Sequence, residues 1–240
     1  MNLRNFITTN MQNILITGAN KGIGFETARQ LLQKGFHVII AGRNQAKLSK
    51  ALSELESDSV SVEMILMDVA DEESIKGAAI ILKERNIQID VLINNAAIMT
   101  SDDQSLIKQD FKSLLSIINT NCFGPLKVIQ AILPLMKNGG RIINISSGGG
   151  SMTDPVGGWS PAYCVSKSML NALTRHLSFE LEAKGISVNS VCPGWVRTDL
   201  GGKSAPRSVQ HGAETPVWLA SEAPHKLTGK FFRDKSEIRW

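Results

Sequence analysis

The chain has 240 residues, 42% of them apolar and 20% charged, with a net charge of +4 and a pI of 9.0. One α/β domain of that length buries most of its unfolded surface. The basic residues are interspersed with acidic ones and show no aromatic–basic interleaving, which weighs against a nucleic-acid partner. No apolar run of about 18 residues is available to span a membrane.

Three cysteines (Cys122, Cys164, Cys192) are widely spaced in apolar segments, as reduced thiols of a cytoplasmic protein would be. His37, His176, His211 and His225 form no ligand-spaced pair, so no metal site is expected. Residues 1–11 read as a flexible tail without the apolar run of a secretory signal. Met11, just before the first strand, leaves the native start open between itself and Met1.

From Asn13 the sequence reads Asn-Ile-Leu-Ile-Thr-Gly-Ala-Asn-Lys-Gly-Ile-Gly. Ile14 to Thr17 predict a strand, the glycines a sharp turn, and Ile23 to Gln33 a helix ended by Gly35. Strand, glycine turn and helix start in that order make a phosphate cradle, although a tight turn with no ligand has the same spacing. A strand follows over His37 to Ala41, then a helix over Ala46 to Glu56 with Leu48, Leu52 and Leu55 on one face. A third strand covers Val60 to Met67, and Asp71 caps a helix through about Asn86. Asp90 to Ile93 is a buried strand leading to Asn94.

Leu106 to Met136 reads as a long helical region bent or broken at Gly124-Pro125. Asn138-Gly139-Gly140 turns the chain into a strand over Arg141 to Ser146. After a glycine-rich loop, Gly148 to Gly158, Ser160-Pro161 reads as N-cap and first residue of a helix to about Lys184. Ile186 to Cys192 is a strand. A long loop from Pro193, a short helix near Ala213 to Ala220 and a strand near Lys230 to Phe232 complete the chain. Apolar strands alternating with helices predict a Rossmann-type, doubly wound parallel sheet of about seven strands, with ligands beyond its carboxyl edge. Residues 12–240 read as one domain, with substrate loops at 147–160 and 193–212.

At the position about 20 residues past the glycines where NAD-binding folds place an acid, this chain has Gly42-Arg43. A guanidinium there suits a 2′-phosphate, and Lys21 adds a second cation, so NADP(H) is favoured over NAD. Tyr163, the sole tyrosine, and Lys167 are four apart and share a helix face. The pair is either an ordinary surface pair or an acid–base pair in which the cation lowers the phenol pKa. Ser146-Ser147 ends a strand, aimed at a carbonyl or closing a hydroxyl turn. Asn121, just before the expected break, either redirects the helix hydrogen bonds or is solvated.

In Thr17-Gly-Ala-Asn-Lys-Gly-Ile-Gly24, Asp68-Val69, Asn94-Asn-Ala-Ala97, Asn121, Ser146-Ser147, Tyr163-x-x-x-Lys167 and Pro193-Gly194, the sequence resembles the short-chain dehydrogenases/reductases over nearly its whole length. The stretches Cys192-Pro-Gly-Trp-Val-Arg-Thr-Asp199 and Gly212-Ala-Glu-Thr-Pro-Val217 resemble the carbonyl reductase branch. By that resemblance Tyr163 is the proton donor, Lys167 lowers its pKa and holds the nicotinamide ribose, and Ser147 orients the carbonyl. Asn121 holds a relay water. The cofactor would contact Gly18, Asn20, Lys21, Gly22, Ile23, Gly24 and Arg43, then Asp68, Val69, Asn94 and Ala96, with Pro193, Gly194, Val196 and Thr198 at the nicotinamide end.

The resemblance implies an NADPH-dependent reductase of aldehydes or ketones, with Met99, Met152, Trp159, Trp195 and Leu200 as an apolar lip for a lipophilic substrate. A 3-oxoacyl thioester reductase and a non-catalytic NADPH-binding regulator are the alternatives. The sequence departs from the family in having Ala at 97. It also lacks the long insertion between Ser147 and Tyr163 of the animal enzymes, which leaves the helices from Leu106 and Pro161 free to pair in a homodimer or homotetramer.

Overall fold

The computed structural model describes residues 11–56, 61–153 and 159–240. The expected tail over residues 1–10, Val60 as the start of the third strand, and the glycine loop from 154 to 158 lie outside the described residues. The elements are β1 (Asn13–Thr17), α1 (Gly22–Gln33), β2 (His37–Gly42), α2 (Gln45–Glu56), β3 (Val62–Leu66), α3 (Glu72–Glu84) and β4 (Ile89–Asn94). They continue with α4 (Phe111–Ile118), a π turn (Asn119–Phe123), α5 (Gly124–Ile132), β5 (Met136–Ile145), α6 (Pro161–Glu180), β6 (Ser187–Val191), α7 (Val209–Ser221), β7 (Phe231–Arg233) and β8 (Ser236–Ile238).

The sheet order is β3-β2-β1-β4-β5-β6-β7-β8, parallel throughout except for the antiparallel β8. Within β1, Ile14 and Ile16 point to one apolar layer and Leu15 to the other. That alternation puts α1, α2 and α7 on one face and α3, α5 and α6 on the opposite one. Each fully buried Ile or Leu contributes roughly 1.5–3 kcal/mol. The strand order reverses between β1 and β4, and the carboxyl ends there bracket the crevice where such folds bind ligands.

The doubly wound sheet is as expected, with eight strands among the described residues for the seven or so read from the sequence; the eighth, Ser236–Ile238, folds back on β7 through Asp234 and Lys235, both at positive φ. Several expectations are corrected. A helix expected from Leu106 begins only at Phe111. It is not broken at Gly124-Pro125: the π turn of Asn119–Phe123 carries it directly into α5. β5 begins at Met136, so Asn138-Gly139-Gly140 forms an irregularity within the strand rather than a turn before it. α7 begins at Val209, capped by Ser208, and accommodates Pro216 inside.

Ser160 does not cap α6. Its backbone is left-handed (φ 35°) and its side chain makes no cap bond. No helix among the described residues is long and apolar enough to cross a membrane.

Candidate active site

The glycine turn is held open by the backbone conformations that its residues alone permit. Gly18 and Gly22 have φ of 65° and 60°, and a Cβ on Gly18 would lie 2.8 Å from the Cα of Ala96. The turn therefore packs backbone to backbone against the end of β4. Two side chains not singled out beforehand staple it there. Thr17 Oγ1 accepts from the N–H groups of Asn95 and Ala96, both at 3.1 Å. Asn95 Nδ2 donates to Thr17 O at 2.9 Å and Gly18 O at 3.1 Å. α1 starts at Gly22 without a side-chain cap, so its first N–H groups face the crevice as an anion cradle.

Around this cradle the expected contact residues take up positions at the carboxyl edge. Arg43 is exposed just beyond β2, and Asn20 Oδ1 lies beside Gly42. Asp68 Oδ1 accepts from Ala70 N, and Val69 is packed against Gly124. Thr198 rests against Gly22 from the opposite side, and Gly194 turns at φ 79°. Val196 is instead directed into the protein against Gly212, so any contact it makes in the crevice is through its backbone. Lys21 is not a free cation. It forms an ion pair with Asp199 across the crevice.

Asn94 is buried, and its Nδ2 donates to Asn144 Oδ1 at 2.9 Å. Asn144 Nδ2 donates to Thr174 Oγ1, which also bonds Ser190 Oγ, each at 2.9 Å. Asn94, Asn144 and Ser190 are register partners on β4, β5 and β6, so the chain crosses three strands. The Oδ1 of Asn94 remains buried without a protein partner. Asn144 was legible as a polar residue inside an apolar strand, Arg141 to Ser146, but nothing local announced its partners.

α6 brings the remaining residues together. Tyr163 and Lys167 are both buried, with Nζ 5.5 Å from the centre of the phenol ring. Lys167 Nζ donates to Ile145 O at 2.7 Å. Ser147 stands near the Tyr163 phenol and favours its ionised form, and its Oγ accepts from Gly149 N at 3.1 Å. The hydroxyl turn and the contact with the phenol therefore coexist at Ser147.

Burial pushes the Tyr163 phenol above its ordinary value, and the Ser147 hydroxyl pulls the other way. Burial also lowers the Lys167 ammonium to about 8. Desolvation, rather than the neighbouring cation, thus sets the direction of the phenol's shift.

Asn121 sits in the π turn, fully buried, rather than in solvent. Its Oδ1 accepts from Ile98 N at 2.8 Å. Its Nδ2 donates to Ile98 O at 2.8 Å and Ser166 Oγ at 3.0 Å. The amide is fully engaged in tying the loop after β4 to α6. Trp159 tilts over Tyr163 at 6.0 Å, and Met152 and Trp195 are exposed.

A glycine turn at the switch point of a doubly wound sheet, with a buried Tyr–Lys pair and a half-buried serine at the carboxyl edge of the same sheet, is a Rossmann-type site. The sequence pattern of the short chain dehydrogenases matches residues 12–208, and the chain belongs to that family. It is 32% identical to carbonyl reductase [NADPH] 1 of Sus scrofa, covering 98% of this chain and 96% of that protein. A short-chain dehydrogenase of Penicillium roqueforti is 34% identical over 94% of this chain and 95% of its own length.

Among solved structures, carbonyl reductase Sniffer of D. melanogaster superposes with a TM-score of 0.88 at 30% identity, covering 96% of this chain and 100% of that one. The NADPH-bound carbonyl reductase from chicken fatty liver gives 0.86 at 28% identity, covering 97% and 96%. The fold and family are those of the carbonyl reductase branch.

Proposed function

We propose that this protein is an NADPH-dependent oxidoreductase that reduces the carbonyl of an aldehyde or ketone to an alcohol, with Tyr163 as the proton donor. The observation that carries this reading is the buried pair Tyr163 and Lys167 with half-buried Ser147 at the carboxyl end of β5, on the same sheet whose β1 leads to the uncapped start of α1. NADP(H) suits the cradle: two positive-φ glycines admit a pyrophosphate, and Arg43, exposed just past β2, is the guanidinium this reading assigns to a 2′-phosphate. The relatives named above for NADPH support the same choice. The bound cofactor supplies the hydride.

The chain's own residues do the rest. Ser147 Oγ, beside the phenol, orients the carbonyl oxygen. Tyr163, kept protonated by burial, gives up its proton to that oxygen as charge develops there. Lys167, anchored on Ile145 O, places a cation under the phenolate that results. Because the amide of Asn121 is engaged with Ile98 and Ser166, a water relaying protons there would be held by its main-chain carbonyl. Exposed Met152, Trp159 and Trp195 suit a lipophilic substrate between the 147–160 and 193–212 loops.

Absorbance of NADPH is followed with a panel of aldehydes, ketones, quinones and 3-oxoacyl thioesters, for wild type and Tyr163→Phe. The reading requires turnover in the wild type and a loss of about 10²- to 10⁴-fold in the variant. Equal, negligible rates for both proteins on every compound would leave the non-catalytic regulator, and turnover confined to acyl thioesters the thioester reductase.

The same reading includes a homodimer or homotetramer. Phe111 and Leu115 of α4 and Val165 and Phe179 of α6 are exposed on helices that pack side by side. A second copy of the chain would cover them. Sedimentation showing only 26.1 kDa particles would refute that.

A further inference from the structure

We propose that Asp103, in the loop between β4 and α4, is a positioning residue for Tyr163: its carboxylate caps the catalytic helix from outside and holds the phenol in place against Ser147 and Lys167. The proposal rests on the proton-donor role of Tyr163 given above.

The helix start has an unusual need. Pro161 has no N–H, and Ser160 is in a left-handed conformation with no cap bond, so the next N–H groups of α6 find no partner in their own segment. Asp103, 59 and 60 positions away, meets both. Its Oδ1 accepts from Ala162 N at 2.8 Å and its Oδ2 from Tyr163 N at 2.9 Å. Asp103 is completely buried, an environment carboxylates occupy only when paired, and both oxygens act as acceptors.

Tyr163 is therefore gripped at both ends of its own peptide unit. Its N–H is held by Asp103, and its C=O accepts from Ser166 Oγ at 2.7 Å. Ser166 in turn accepts from Asn121, which holds Ile98 of the loop that carries Asp103. One loop thus clamps the helix on both sides of the phenol.

A neutral cap would satisfy the same two N–H groups, so the charge needs its own role. A carboxylate at a helix start offsets the positive end of the helix dipole. Here it also lies one peptide from the residue that must hold its proton until charge develops on the substrate. The groups facing the phenol are Lys167 and Cys164 of α6, Ser147 after β5 and Cys192 after β6, while Asp103 lies behind it on the N–H of the same residue. Lys167 favours phenolate and Asp103 opposes it. Removing the carboxylate charge therefore makes the phenol easier to ionise.

Tyr163 is the only tyrosine, so growth on 3-fluorotyrosine places one ¹⁹F-labelled phenol in the protein, at that residue. Wild type, Asp103→Asn and Asp103→Glu are titrated by ¹⁹F NMR with saturating NADP⁺, beside kcat and KM for a carbonyl that the wild type reduces. Circular dichroism checks folding. In Asp103→Asn, phenol ionisation should set in about one pH unit lower, with kcat down about ten- to a hundredfold and the KM for NADPH changed less than threefold. Asp103→Glu, which keeps the charge, should ionise where the wild type does and recover part of kcat.

Ionisation within a few tenths of a unit of wild type in folded Asp103→Asn overturns the proposal and leaves a cap with no catalytic bearing. If Asp103→Asn fails to fold, a displaced ionisation or absent kcat recovery in Asp103→Glu overturns it equally. A wild type that turns over no carbonyl refutes the proton-donor reading instead, and the titration still reports on Asp103.

Discussion

Lys21 and Asp199 form an ion pair that bridges the crevice, joining the glycine turn to the loop after β6, where Thr198 also meets Gly22. Lys21 is thereby committed to an anion of its own chain. Both side chains are mostly exposed, at 60% and 77%, so the pair is weak and easily exchanged.

A 2′-phosphate and Asp199 then compete for one ammonium. Asp199→Asn should tighten NADPH binding about two- to fivefold and leave NADH unchanged. Fluorescence titration with both nucleotides checks this, and the gain should vanish at high salt. An equal gain for NADH would show that the effect is not read through the phosphate.

Arg43 has no comparable competitor among the described residues and is exposed at the end of β2. Arg43→Asp replaces a charge-assisted donor by a like charge. NADPH affinity should fall at least about tenfold, far beyond any loss for NADH. Equal losses would remove Arg43 from cofactor selection.

Lys167 carries a stability cost whose pH dependence has a definite sign. Its folded value of about 8 lies below the 10.5 of the unfolded chain. Between those values the unfolded chain binds the extra proton, so stability rises with pH across that window. Below it the buried charge costs its full amount. Lys167→Met should therefore raise the unfolding temperature at pH 7, with the advantage shrinking towards pH 10 while activity stays at least about 10²-fold down. A variant less stable at pH 7 and no less so at pH 10 would mean that the bond to Ile145 O outweighs desolvation.

Asn144 links Asn94 to Thr174 deep in the sheet. Asn144→Ala strands a buried donor on Asn94 and opens a cavity, so unfolding in urea should lose about 2–4 kcal/mol. A loss under about 0.5 kcal/mol would mean that the chain relaxes around the gap.

Local order along the backbone was legible in the residues themselves. The continuous apolar run of Ile14, Leu15 and Ile16, glycines at 18, 22 and 24, and the four-residue step from Tyr163 to Lys167 each express a local backbone preference or period. Such features persist wherever the segment is placed, which is why the doubly wound sheet and the family could be read from the chain alone. Boundaries slipped where local signals compete. Leu106 to Asp110 has helix-like composition but forms turns, with Ser105 Oγ accepting from Lys108 N while the preceding Asp103 is bonded away to the start of α6.

Tertiary structure alone decided who partners whom. Nothing in its sequence neighbourhood marks Asp103, and only folding carries it to the start of α6 in place of Ser160. Lys21 reads as a free cation until Asp199 is brought opposite it. The direction of the Tyr163 shift likewise follows from burial, a property of the packed assembly that no spacing encodes. The sequence determined what each segment would be. Long-range contact determined which charges meet and which are stripped of water, because electrostatic energy depends on distance and solvent rather than on order along the chain.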